Sequence, residues 1–428
     1  MDQQLRDCIS NKSVIIWGAR IVGIGLSRKC RKEGLEIISF IDSDQSLSNK
    51  EVNGIKVSHP SSLENILKKN KNKEIVIIVA VSIKEDEIRR LLREYLPDGH
   101  NVGILYYKDF NSVYYTIDIV SSCNLACLSC AHSLEGRKPG GIMSLDNVKA
   151  VIKKIERESP NCSHVSLYSW GEPLLHPQID EIINLFHDAG IAVGLSTNLS
   201  HQNFRNIERA VQASPDYIKI SVSGYYPKAY NNTHQGGDIT LVKSNLYKLA
   251  YLIDKKGIDS LVDINYHLYR DNCGENLQKM TDLAEELGFI ISTVHALVMP
   301  LERVMDHREG KPDAQTIELE KNLLVKIDEG IEVSQNVKLE EGCPFKLNQM
   351  NINADLTIPV CCLVFNRDHL VSGNYLKDEI SDIDKRKEEA KICEKCMKMN
   401  LPQYNMGFNK SGWEEIARRK TKVDIGSS

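Results

Sequence analysis

Long apolar runs are missing from this 428-residue chain. The longest, Ile75 to Val81, falls far short of the ~20 residues a membrane helix needs, so no membrane partner is expected. The opening MDQQLRDCIS lacks the basic end and apolar centre of a signal peptide, and a cytoplasmic location is the expectation. An excess of positive charge is missing too: 54 Lys and Arg stand against 58 Asp and Glu, for a formal net charge of −4. That excludes a whole-protein basic footprint for nucleic acid. With 26 Gly, 13 Pro and 42% hydrophobic residues, collagen-like sequence and low-complexity disorder are excluded as well. The chain therefore folds, and its length implies more than one domain at about 100–200 residues each. No repeat of fixed period runs through it.

Strands and helices alternate along the chain, which marks the fold class as α/β. Ser13 to Trp17 is an apolar run followed by Gly18-Ala-Arg-Ile-Val-Gly23 and a helical pattern to about Lys32, which reads as strand, turn and helix. Further runs at 36–41, 75–81 and 102–107, with helical stretches between them, predict a doubly wound, Rossmann-like parallel sheet over residues 1–110. Its glycine turn carries Arg20 in place of the middle glycine of G-x-G-x-x-G, adding a phosphate donor while obstructing close approach, and Asp42 stands where a ribose hydroxyl would be accepted. Nucleotide or sugar-nucleotide binding and a docking role both remain open for this domain. A second series, residues 111–330, has strands near 116–120, 164–168, 192–196, 217–221, 261–268 and 289–294, as a partial (β/α)6 barrel requires. Residues 331–428 form a smaller third domain with five of the cysteines, a hairpin around Asn353-Ala-Asp355 and a charged helical segment from Ser381 to Lys391. Its Arg386–Lys391 run, like Lys68–Lys73, reads as an exposed face.

Cysteine is what the chain has in quantity. Twelve thiols in a reducing compartment are not expected to pair, so groups of them read first as metal or cluster ligands. Cys123-Asn-Leu-Ala-Cys127-Leu-Ser-Cys130 directly follows the first strand of the second series. Composition alone predicts roughly 0.01 occurrences of such a C-x3-C-x2-C group. Three thiolates on a short loop hold three irons of a [4Fe–4S] cube and leave the fourth open to a small molecule. The alternative is a structural zinc knuckle completed by His132. Cys8, Cys30 and Cys162 sit in apolar or helical contexts and read as buried small residues.

This loop resembles the signature of the radical S-adenosylmethionine (radical SAM) superfamily, and the resemblance covers about residues 114–300. It implies that Cys123, Cys127 and Cys130 hold a [4Fe–4S] cluster with SAM at the open iron. It also implies that one electron splits SAM to methionine and a 5′-deoxyadenosyl radical. Trp170-Gly171-Glu172-Pro173 resembles the family's GEP element, which places Gly171, Glu172 and Pro173 at the SAM ammonium. Ser196-Thr197-Asn198 and Ser221-Val-Ser223-Gly224 end the third and fourth strands, where the family has polar contacts to the ribose and carboxylate of SAM. Ser129 replaces the aromatic residue often found before the third cysteine.

Cys343-Pro-Phe-Lys, Cys361-Cys362 and Cys393-Glu-Lys-Cys396 resemble the SPASM extension in its single-cluster twitch form. The resemblance implies a second, auxiliary [4Fe–4S] cluster on Cys343, Cys361, Cys393 and Cys396; a Cys₄ zinc site is the alternative. Leu356 stands where the family pattern has glycine, which leaves the choice between Cys361 and Cys362 open. The segment from Ile15 to Pro60 resembles the Rossmann-like domain found beside sugar-modifying acyltransferases and sugar C-methyltransferases. The resulting expectation is a radical SAM oxidoreductase or epimerase acting on a C–H bond of a carbohydrate or nucleotide-linked sugar, with a flavodoxin- or ferredoxin-type electron donor. Cys273, at the end of the fifth strand, is the candidate hydrogen donor for epimerisation. His132, Tyr225, Tyr230, His234 and Gly236-Gly237 are candidates for the pocket lining. The alternatives are a SPASM-type peptide maturase and a non-catalytic zinc or cluster protein.

Overall fold

The computed structural model describes every residue except 97, 98, 100, 112, 134–140, 340, 341 and 422–428. Two main sheets organise it. The first contains β1 (Ser13–Trp17), β2 (Ile37–Ile41), β3 (Glu51–Val52), β4 (Ile55–Ser58), β5 (Ile75–Val79) and β6 (Gly103–Tyr106), in the order β3-β4-β2-β1-β5-β6. β1 and β5 are buried at every position, as unbroken β-branched runs require when helices cover both faces. Helices Gln3–Ile9 and Ile21–Lys32 pack on one face and Leu63–Lys69 and Glu85–Tyr95 on the other. The ribbon of β3 and β4 is antiparallel and was not among the expected strands. Its signal is Asn53-Gly54, with φ of 51° and 63°, the dipeptide that suits a tight hairpin.

The second sheet holds β7 (Tyr114–Ile117), β8 (His164–Ser166), β9 (Ala192–Thr197), β10 (Tyr217–Ser221), β11 (Leu261–Leu268), β12 (Ile290–His295) and β13 (Gln349–Ile352). Their order is β12-β11-β10-β9-β8-β7-β13 and every pairing is parallel. The six expected strands are present, and the C-terminal region contributes a seventh. The hairpin expected around Asn353-Ala-Asp355 is a turn closed by Asn353 N–H on Thr357 O at 3.0 Å. Its two arms go to different sheets: β13 pairs with β7, and β14 (Ile358–Pro359) pairs with β15 (Leu370–Ser372). The charged run also departs from expectation. Lys68, Lys69, Lys71 and Lys73 are exposed, but Lys387 is 1% exposed and its ammonium donates to the carbonyls of Lys346 and Gln349 at 3.3 and 2.8 Å.

The pleat sorts the barrel strands into two faces. On β10, Ile218 and Ile220 join the apolar layer beneath the helices, and on β11 Val262, Ile264 and Tyr266 do the same. Lys219, Ser221, Asp263, Asn265 and His267 therefore face the barrel interior. Lys219 and Ser221, with Ser196 of β9, are partly exposed although their strands lie inside the sheet, so water reaches this interior.

The N-terminal end of the barrel is closed by the first domain. Ile21, Val22 and Ile24 share one core with Tyr114, Ala192, Tyr217 and Ile290. A Cβ on Gly25 would stand 2.5 Å from Ser163 O, so only glycine lets this helix lie so close to the barrel. Arg20 reaches through the contact: it pairs with Asp42, Asp44 and Asp263 and donates to Ser292 Oγ at 2.8 Å. Asp42 accepts the backbone N–H groups of Ala19 and Asp44 at 2.9 and 3.0 Å. Both side chains considered for a nucleotide are thus engaged within the protein. Among the described residues no helix is long and apolar enough to cross a membrane.

Candidate active site

The cysteine loop leaves the sheet at Asp118. This carboxylate is 5% exposed and accepts the backbone N–H groups of Ser169, Trp170 and Gly171 at 3.0–3.1 Å. Burial pushes its pKa up to about 6 against those three donors. β7 therefore ends at Ile117, earlier than the sequence suggested, because Asp118 is committed to the neighbouring turn. Gly171 is fixed by crowding, since a Cβ there would fall 1.6 Å from Val120 O. Glu172 N–H donates to Ser122 O at 2.9 Å, which ties the Gly-Glu-Pro turn to the start of the cysteine loop.

Glu172 is 3% exposed, and its two oxygens accept the backbone N–H groups of Leu174 and Asn198 at 3.2 and 2.9 Å. His201 Nε2 lies 3.5 Å from the same carboxylate. Each oxygen has two lone pairs, so capacity remains for a cation. Asn198 continues the chain of contacts: its amide donates to Asn124 Oδ1 at 2.9 Å and to Cys123 Sγ at 3.7 Å. Leu125 N–H also donates to Cys123 Sγ, at 3.4 Å. Asn198 thus links three segments read separately in the sequence, the cysteine loop, the Gly-Glu-Pro turn and the end of the third barrel strand.

Cys127 senses both Cys130 and Cys123, and burial pushes its pKa up to about 12. A metal bound to such a thiol would hold it as the thiolate. His132, the fourth ligand of the zinc alternative, packs edge-on against Phe365. No disulfide forms among the cysteines. Three thiols on one short loop are a donor set that suits three irons of a cluster.

The other sequence candidates fall in several places. Thr197 Oγ1 accepts Leu199 N–H at 3.0 Å, and Ser223, fully buried, accepts His267 N–H at 3.0 Å. Pro173 is buried and begins the short 3-10 turn that Glu172 caps. Tyr230 and His234 stack at 4.9 Å and are buried. The next residue, Gln235, accepts Ala126 N–H at 2.9 Å, so this segment braces the cysteine loop. Cys273 packs with the apolar layer under the helices and donates to Tyr269 O at 3.1 Å. In the C-terminal region, Cys343 is electrostatically felt by Cys361, Cys362, Cys393 and Cys396. Cys361 also senses Cys396, and Lys387 senses Cys361 and Cys393. Leu356 takes φ 67°, a left-handed conformation that explains why glycine would suit this position.

Two residues escaped the sequence reading. Arg303, 3% exposed, donates to Leu128 O at 2.7 Å, to Met299 O at 3.1 Å and to Thr316 Oγ1 at 2.9 Å, clamping the cysteine loop from a distant helix. Phe365 reaches from the C-terminal region to Trp170, with ring centroids 5.4 Å apart. A lone arginine and a lone phenylalanine in unrelated segments carry no motif, so spacing alone has nothing to find.

A partial parallel barrel with three thiols on the loop after its first strand defines the class of site. Residues 117–298 match the model of the radical SAM superfamily, and the barrel of this chain is a radical SAM domain. That family uses a [4Fe–4S] cluster and SAM. Similar curated proteins include an AdoMet-dependent heme synthase from Methanosarcina barkeri, 26% identical over 181 residues, covering 42% of this chain and 49% of the relative. A probable GTP 3′,8-cyclase from Methanococcus maripaludis is 23% identical over 206 residues, covering 47% of this chain and 65% of the relative. The chain thus spans about half to two thirds of these relatives. Among solved structures, native anSMEcpe with bound AdoMet aligns at a TM-score of 0.46 and 15% identity, over 73% of this chain and 99% of that one.

Proposed function

We propose that this chain cleaves SAM reductively and removes a hydrogen atom from a C–H bond of a small polar substrate held in the barrel. The observation that carries this reading is Asn198, whose backbone N–H donates to Glu172 while its amide donates to Asn124 Oδ1 and Cys123 Sγ. In this reading Cys123, Cys127 and Cys130 hold the cluster. Bound SAM and one electron from a flavodoxin- or ferredoxin-type donor supply the 5′-deoxyadenosyl radical. Gly171 and Pro173 shape the turn that receives the ammonium, and Glu172 offers it a carboxylate. Asn198 orients Cys123, while Ser196 and Ser221 offer hydroxyls on the interior wall. Trp170 and Phe365 close the mouth and exclude water.

Cys343, Cys361, Cys393 and Cys396 hold an auxiliary [4Fe–4S] cluster in the same reading. Held there, such a cluster would supply an acceptor for the second electron of a net two-electron oxidation. The polar interior suits a hydroxyl-rich molecule such as a carbohydrate. Arg20 is engaged by Asp263 of the barrel and Asp42 by the backbone N–H of Ala19, which gives less support to a nucleotide-linked substrate. Epimerisation would require the Cys273 thiol to turn away from Tyr269 O. Anaerobic reconstitution, dithionite reduction and chromatography for 5′-deoxyadenosine test the proposal. Formation of the nucleoside supports it, and a fully loaded protein that never forms it overturns it.

A further inference from the structure

Lys219 is a cation on the interior wall of the barrel, partly exposed on its strand. It lies on β10 between Ser196 of β9 and Asp263 of β11, its register partners. Asp263 gives its Oδ2 to Arg20, Tyr217 and Ser292, at 3.2, 2.6 and 2.9 Å, so its charge is already shared with the Arg20 guanidinium, while its buried Oδ1 has no hydrogen-bond partner. Among the described residues Lys219 forms no ion pair. Its ammonium stands 5.7 Å from the Tyr168 ring, another interior position, and is felt by His267. A charge in a partly dry interior is costly without a partner.

A second observation points to a ligand one step further along the strands, level with Ser221. Asn265, 6% exposed and facing the interior one step along β11, has an Oδ1 with no hydrogen-bond partner. Across the barrel, Asn351 of β13 is 2% exposed and both of its amide atoms lack partners. Buried amides are normally satisfied. The Thr116 to Asn351 register puts that amide on the interior wall, opposite in the pleat to Met350 and Ile352 of the helix-side core.

We infer that Lys219 binds an anionic group of the substrate, a carboxylate or a phosphate, while Asn265 Oδ1 accepts a hydroxyl of the same molecule. This rests on the proposed function and names its substrate class: an acidic, hydroxyl-bearing small molecule. Lys219 stands two residues before Ser221 on β10, deeper in the barrel, so the anion it takes is the substrate's and not the carboxylate of SAM.

The test uses the full chain, reconstituted and saturated with SAM, and calorimetric titration with inorganic phosphate and, separately, acetate. The parent is expected to bind one of the two in the millimolar range, Lys219→Gln at least tenfold more weakly, and Lys219→Arg within about threefold of the parent. Asn265→Asp, which places a carboxylate beside the ammonium, is expected to abolish anion uptake and serves where Lys219→Gln fails to fold. Preference for phosphate over acetate assigns the group. No uptake of either anion by the parent, or equal uptake by parent and Lys219→Gln, overturns the inference. So does a matching loss of SAM affinity in Lys219→Gln, which would assign the lysine to SAM. Iron content and SAM affinity of the parent test the radical SAM reading separately, so the two failures are distinguishable.

Discussion

The side-chain amide of Asn198 donates to Cys123 Sγ at 3.7 Å while its backbone N–H donates to Glu172 at 2.9 Å. One residue thus links the Gly-Glu-Pro turn to a cysteine of the loop. Hydrogen bonds to ligand sulfurs tune cluster potentials. Asn198→Ala keeps the backbone bond and removes the one to sulfur, so the cluster should become harder to reduce. A redox titration followed by electron paramagnetic resonance is expected to show a lower midpoint than in the parent. An unchanged midpoint would remove Asn198 from the site.

Arg303 holds the far side of the loop through Leu128 O and Met299 O. Arg303→Lys keeps the charge but cannot span both carbonyls and Thr316. Because Asp313, its ion-pair partner, is 43% exposed on its side chain, the loss should stay near 2–3 kcal/mol, below the full cost of breaking a buried pair. Urea unfolding measures it, and iron per chain should fall in parallel. Parent-like stability and iron content would contradict the clamp.

These two residues mark where the sequence stopped being legible. The cysteine loop, Gly171-Glu172 and Asn198 stand at strand ends in chain order, so local pattern finds them. The strands of both sheets follow from apolar runs of the right length. β13 was missed as a barrel strand because its partner β7 lies more than 200 residues away, and nothing local records that pairing. Lys387 was misjudged for a related reason: a charged run looks solvated until the carbonyls of Lys346 and Gln349 are brought over it. Arg20 resembled a ligand contact because one of its three carboxylate partners, Asp263, comes from another domain.

The choice between adjacent thiols is settled by iron content. Cys361 senses Cys343 and Cys396, whereas Cys362 senses Cys343. Cys361→Ser is expected to lose about four irons per chain and Cys362→Ser none. The reverse result would move the ligand to Cys362.

Buried histidines set the acid limit of the fold, His267 (about 3) and His295 (about 4) among them. Burial holds His164 and His234 down to about 4. A group depressed in the folded state contributes stability that is complete above its unfolded pKa, about 6.5, and is lost as pH falls through the folded value. Asp118, raised to about 6, acts oppositely: its contribution is complete below about 4 and is lost as pH rises through 6. With up to about 3 kcal/mol at stake per group, the histidines dominate. Urea midpoints of the cluster-free full chain should fall between pH 6.5 and 4. A flat profile would mean that these rings are already protonated in the fold.

The central claim is that two separate sets of thiols hold two clusters. The direct measurement is iron, sulfide and zinc per chain on anaerobically reconstituted parent protein, beside a Cys123→Ala, Cys127→Ala, Cys130→Ala triple variant. The account predicts about eight irons in the parent and about four in the variant, with no zinc. Iron that is unchanged in the triple variant, or zinc in place of iron at either site, would contradict it.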